Sequence, residues 1–92
     1  MSDDSPEEQV VRLPIDGVLD LHAFAPRDAP SAVDAYLEAA REAGLSEIRI
    51  VHGRGIGVQR AVVHRILRAH PLVADYWDSP ESHLGATMVK LR

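Results

Sequence analysis

The chain contains no cysteine. Disulfides and thiolate metal sites are therefore excluded, and a domain of 92 residues has to stand on a small apolar core. The absence fits a reducing compartment. Aromatics are also scarce, with one Trp, two Tyr and one Phe. Extended base-stacking platforms are not to be expected, although Phe24 in the first loop is able to stack on a single base. No apolar run approaches the roughly 20 residues of a membrane helix. The opening MSDDSPEEQ is acidic and has no apolar centre of the kind a signal peptide needs. These absences lead us to expect a cytoplasmic domain that does not engage a membrane; we also expect a monomer.

What is present is unevenly charged. The net charge is −4, yet residues 1–47 hold eleven acids against three bases, and residues 48–92 hold three acids against seven bases. A polyanion responds to the local face rather than to the total, so the second half remains open to nucleic acid. Residues 1–13 are polar and acidic and are expected to form a disordered tail, with the folded domain over 14–92.

Along that domain the hydrophobic pattern predicts β-α-β-α-β-β. Val18, Leu19 and Leu21 read as a short buried strand, in which alternation puts Asp20 and His22 on one face. Asp28 or Ser31 can cap a helix whose apolar face is Val33, Tyr36, Leu37 and Ala40, and Gly44 ends it. EIRIVH is a second strand. A second helix from about Val58 to Ala69 is expected to bury Val58, Val62, Ile66 and Ala69, with Leu67 beside them. Arg60, His64 and Arg68 would line another side. Pro71 stops it. VADYW and ATMVKL are the last strands, close enough in sequence for an antiparallel pair. The alternating start implies a parallel pair with right-handed crossovers. Ligands in such sheets gather beyond the carboxyl ends of parallel strands, where His22 and His52 would both lie.

Between the second strand and second helix runs His52-Gly53-Arg54-Gly55-Ile56-Gly57. Glycines permit sharp turns and close approach. Helix N-termini attract anions. Arg54 and Arg60 would add charge for a phosphodiester. The run lacks the Gly-Lys-Ser/Thr ending of a Walker loop, and Val58 breaks the dinucleotide fingerprint, so a purely structural turn is the alternative. Asp20 beside His22 is a pattern in which a carboxylate orients an imidazole for general acid–base work. The same atoms, joined by His52, could bind one metal. His64 reads as a solvated residue or a phosphate contact. His70, ahead of Pro71, has a structural place at the helix end.

LDLHAF at 19–24, VHGRGIGVQR at 51–60 and GATMVKL at 85–91 together resemble the Smr (small MutS-related) domain, over roughly residues 14–92. The resemblance implies a two-layer α/β sandwich similar to the C-terminal domain of translation initiation factor three. It also implies nucleic-acid binding and, in several members, endonuclease activity on DNA or RNA. Asp20 and His22 match the family's catalytic motif. His52, Gly53 and Gly55 match its adjoining substrate-binding motif. Two departures stand out. Ala23 occupies a place where many members have Gly, and Ser82-His83-Leu84-Gly85 replaces Gly-Gly-x-Gly, so that His83 could add a side chain to the site. The resulting expectation has four parts. Asp20, His22 and His52 do the chemistry. Gly53, Arg54, Gly55, Gly57, Arg60 and His64 hold the phosphate. No cofactor is needed, with a single divalent metal left open. DNA or RNA is the partner, alone or within a ribosome or repair complex. The rival expectation is a module that binds nucleic acid or a ribonucleoprotein without cutting it.

Overall fold

The computed structural model describes residues 15–53, 57–81 and 85–92. The expected tail, residues 1–13, lies outside them. The elements follow the expected order: β1 (Val18–Asp20), α1 (Ala29–Glu42), β2 (Glu47–Val51), α2 (Val58–Ala69), β3 (Val73–Asp78) and β4 (Ala86–Leu91).

The strands form one sheet in the order β1-β2-β4-β3. β1 and β2 are parallel, with Leu19 opposite Ile50. β4 runs antiparallel to both β2 and β3, with Val89 opposite Ile48 on one side and Tyr76 on the other. β4 thus sits between the two strands that α2 connects. Its inward positions explain why. Thr87, Val89 and Leu91 are all buried, as suits a strand flanked on both edges. Both crossovers step the same way along the sheet, so right-handedness puts α1 and α2 on one face and makes two layers.

The core fills the space between those layers. Leu19, Leu21, Val33, Leu37, Ile48, Ile50, Val63, Leu67 and Val89 form its centre. α1 buries the stripe its sequence predicts, Val33, Tyr36, Leu37 and Ala40, from a start at Ala29 with Pro30 in the first turn. Gly44 follows it in the left-handed conformation, φ +85°, and Leu45 N–H returns to the Ala40 carbonyl. A register shift between Val73 and Asp75 adds one residue to β3. This bulge lets Val73 and Tyr76, three apart, both turn toward the core.

Two expectations change. β1 stops at Asp20, and Leu21–Ala23 is a single 3-10 turn rather than a strand continuation. Leu19 and Leu21 are still both buried, and Asp20 and His22 both exposed. α2 is rotated relative to the predicted stripe. Val63 and Leu67 are its buried residues, whereas Val58 is 57% exposed. The rotation turns Arg60 and His64 toward the sheet, where Asp78 and Thr87 offer hydrogen-bond partners. Pairing those polar groups outweighs burying Val58 and Ala69. Among the described residues no helix is long and apolar enough to cross a membrane.

Candidate functional site

The turn after β1 is shaped by its first residue. Asp20 caps the 3-10 turn, and its Oδ1 accepts from the His22 backbone N–H at 2.9 Å. The same oxygen lies 2.9 Å from His22 Nδ1. An aspartate that bonds the backbone two residues on in this way folds the chain over itself and brings the intervening side chain round. The backbone bond is the largest influence holding the Asp20 carboxyl below its ordinary pKa, with the imidazole bond adding to it and slight burial opposing. An ionised carboxylate only accepts, so His22 Nδ1 carries the hydrogen, and in the neutral ring Nε2 keeps a free lone pair.

That lone pair points at the glycine loop. A Cβ built on Gly53 would fall 2.9 Å from His22 Nε2, and Gly53 has φ +79°. Both the conformation and the close approach require glycine here. Gly57 also has a positive φ, +86°, but nothing lies near its missing Cβ. It serves as the N-cap of α2, and its carbonyl accepts from Ala61 N–H. The carbonyl of Gly85 fixes the loop's start by accepting from both His52 N–H (3.0 Å) and Gly53 N–H (2.9 Å). Arg54 and Gly55, and the substituted Ser82-His83-Leu84, lie outside the described residues.

His52 occupies a different setting. It is 5% exposed. Its Nδ1 is 3.0 Å from the Gly53 carbonyl, which can only accept, so Nδ1 donates. Its Nε2 lies 2.9 Å from Thr87 Oγ1. The same hydroxyl lies 2.9 Å from His64 Nε2. Thr87 has one proton to give. With His52 neutral, Thr87 donates to His52 Nε2, and His64 must then donate to Thr87. The sharing fixes both tautomers, and His52 has no nitrogen left over. The ring of His64 meets His52 and Tyr76 edge-on, at centroid distances of 6.4 and 5.0 Å. Burial is the main cause that lowers the His64 pKa, and the Arg60 charge adds to it against the pull of Asp78.

Arg60 closes the cluster. Its Nε and one terminal nitrogen donate to the two oxygens of Asp78 at 2.8 and 2.7 Å. This two-pronged pair raises the guanidinium pKa and lowers that of Asp78. Arg60, expected to face a phosphate, therefore already has a carboxylate. His64, expected in solvent or on phosphate, is joined to Thr87. His70 has the structural place expected of it, bonded to Asp34 of α1 at 2.7 Å and accepting from Leu72 N–H. Thr87 and Asp78 were not legible as site residues, although a polar Thr87 on the apolar face of an alternating strand was a signal. Among the described residues no three His, Asp or Glu side chains gather in a metal-binding group.

The chain has known relatives in sequence and fold. The profile of the Smr domain matches residues 19–92. The chain belongs to the Smr domain family. Curated relatives are endonuclease MutS2 of Caldicellulosiruptor saccharolyticus, 38% identical over 80 residues covering 85% of this chain, and endonuclease MutS2 of Thermomicrobium roseum, 36% identical over 91 residues covering 95%. The chain spans only about a tenth of the length of these relatives, 10% and 11% respectively. Among solved structures, the Smr domain of Thermus thermophilus MutS2 is similar with a TM-score of 0.77 and 36% identity, covering 82% of this chain and 96% of that one. YdaL of Escherichia coli, a stand-alone small MutS-related protein, is similar with a TM-score of 0.77 and 25% identity, covering 91% of this chain and 70% of that one. In this Smr domain the Asp20–His22 turn is set against Gly53, with the His52–Thr87–His64 cluster nearby.

Proposed function

We propose that this Smr domain binds nucleic acid and cleaves a phosphodiester bond with His22 as the proton-transferring group. The observation that carries the reading is the free Nε2 of His22, oriented by Asp20 and placed over Gly53 at the start of the glycine loop. In the reaction, Nε2 takes the proton of the attacking hydroxyl, a new P–O bond forms, and the bond to the leaving oxygen breaks. The leaving oxygen takes its proton from solvent, because both His52 nitrogens are engaged. RNA suits this chemistry best, since its 2′-OH is an internal nucleophile and proximity removes much of the entropic barrier. The first N–H groups of α2, with Gly53, Arg54, Gly55 and Gly57, would hold the phosphate. His52 and His64 would keep that loop in place. Relatives named as endonucleases support the reading.

The test is a nuclease assay on single- and double-stranded RNA and DNA, with and without chelator. Wild type should cut and His22→Ala should not, and equal cleavage would reject His22. A second reading is a module that binds nucleic acid or a ribonucleoprotein without cutting. The pairing of Arg60 with Asp78 favours it, because it leaves fewer free charges for the transition state. Salt-sensitive binding without cleavage, by wild type and His22→Ala alike, would select it.

A further inference from the structure

Two cavities lie between β1 and α1, and Phe24 and Tyr36 line both. The smaller, about 280 Å³, has Asp20 itself in its wall. The larger, about 460 Å³, is otherwise walled by apolar side chains such as Ala32 and Ala35, with Asp28 and Ser31 as its polar groups. An apolar space with a few convergent polar groups is the usual form of a small-ligand site. Phe24 closes the turn that carries His22, two residues away. A group held in this space would therefore sit beside the dyad.

Asp28 is the informative residue. It stands at the N-cap position of α1 yet makes no capping hydrogen bond, because its backbone is already helical, φ −93° and ψ −6°. Its carboxylate is free to face the cavity. The polar lining is thus mostly carboxylate, which repels phosphate and accepts from N–H donors. An unpaired nucleobase has an apolar face for Phe24 and donors on its edge. Guanine alone presents two parallel donors, N1–H and N2–H, which one carboxylate accepts together. Adenine, cytosine and uracil place an acceptor beside the donor.

We propose that the paired cavities at Phe24 are a nucleobase subsite, taking an unpaired guanine that flanks the phosphate at His22, with its face on Phe24 and its Watson–Crick edge on Asp28. This rests on the phosphodiester-cleaving reading above. The test uses short single-stranded RNA and DNA oligomers carrying one guanine, or inosine, adenine or an abasic residue at that position. Guanine should bind on the order of 10-fold tighter than the abasic oligomer, with inosine between, and cuts should fall at a fixed step from the guanine. Asp28→Asn should erase the guanine-over-inosine preference while binding uridine-only RNA as wild type does. Phe24→Leu should keep the fold and weaken every base against abasic. Equal binding of guanine, inosine and abasic oligomers would overturn the subsite and leave the cleavage reading standing. A guanine preference that survives Asp28→Asn would overturn it too. Failure to bind any oligomer would instead remove the reading on which it rests.

Discussion

The histidines at 22 and 52 stand at the ends of neighbouring parallel strands, and they are held in opposite ways. His22 is exposed, has one nitrogen tied to Asp20, and keeps the other free. His52 is buried and has both nitrogens engaged, one by the Gly53 carbonyl and one by Thr87. The same side chain can act as a reagent or as a strut. The difference lies in how many of its nitrogens the fold leaves unused. Thr87 extends the strut to His64, and through it α2 is joined to the loop that His22 overlooks.

The comparison can be broken most sharply at His22. His22→Ala should lower cleavage by about 10²–10⁴-fold, the usual worth of a general acid–base group, while the unfolding free energy from chemical denaturation stays within about 0.5 kcal/mol of wild type. A fall in stability equal to the loss of activity would make His22 a strut as well. Next in size is Thr87→Val, which keeps the shape and removes the shared hydroxyl. It should destabilise the fold by about 1–3 kcal/mol, because a buried His52 nitrogen loses its partner. Denaturant titration reads this directly, and little change would dissolve the cluster as a unit.

The glycines sharpen the contrast further. Gly53→Ala and Gly57→Ala should both cost about 1 kcal/mol from positive φ. Gly53→Ala should lower the cleavage rate further than Gly57→Ala does, since only the Gly53 Cβ meets His22 Nε2. Equal activities would show that the imidazole moves aside at no cost. The smallest effect is on pH dependence. Burial in the folded protein lowers the His64 pKa below its ordinary value of 6.5, so the unfolded chain binds the proton more readily. This contribution is present above about pH 6.5 and is lost as pH falls through the folded value. The melting temperature should therefore drop between pH 7 and 5, and His64→Gln should flatten that slope.

Much of this was readable from spacing. The helical stripe of α1, the glycine that ends it, the parallel pair and the final antiparallel pair all follow from local pattern. The exposed Asp20–His22 pair was also visible, though its cause is a capped turn and not strand alternation. The position of β4 between β2 and β3 was not readable, because strand order depends on contacts far apart in sequence. The rotation of α2 followed from the same gap. Its apolar residues alone favour Val58 and Ala69, and only the presence of Asp78 and Thr87 across the layer turns Arg60 and His64 inward. Arg60 consequently changed from a phosphate ligand in expectation to half of an ion pair.

The Gly85 carbonyl, which takes the amide protons of both His52 and Gly53, has a consequence for how the loop opens. The resemblance implies glycines where Ser82 and His83 stand, and the clasp itself is built from main-chain atoms of a position that is glycine here. The two amides should exchange with deuterium at a common rate, as a pair released by one opening event.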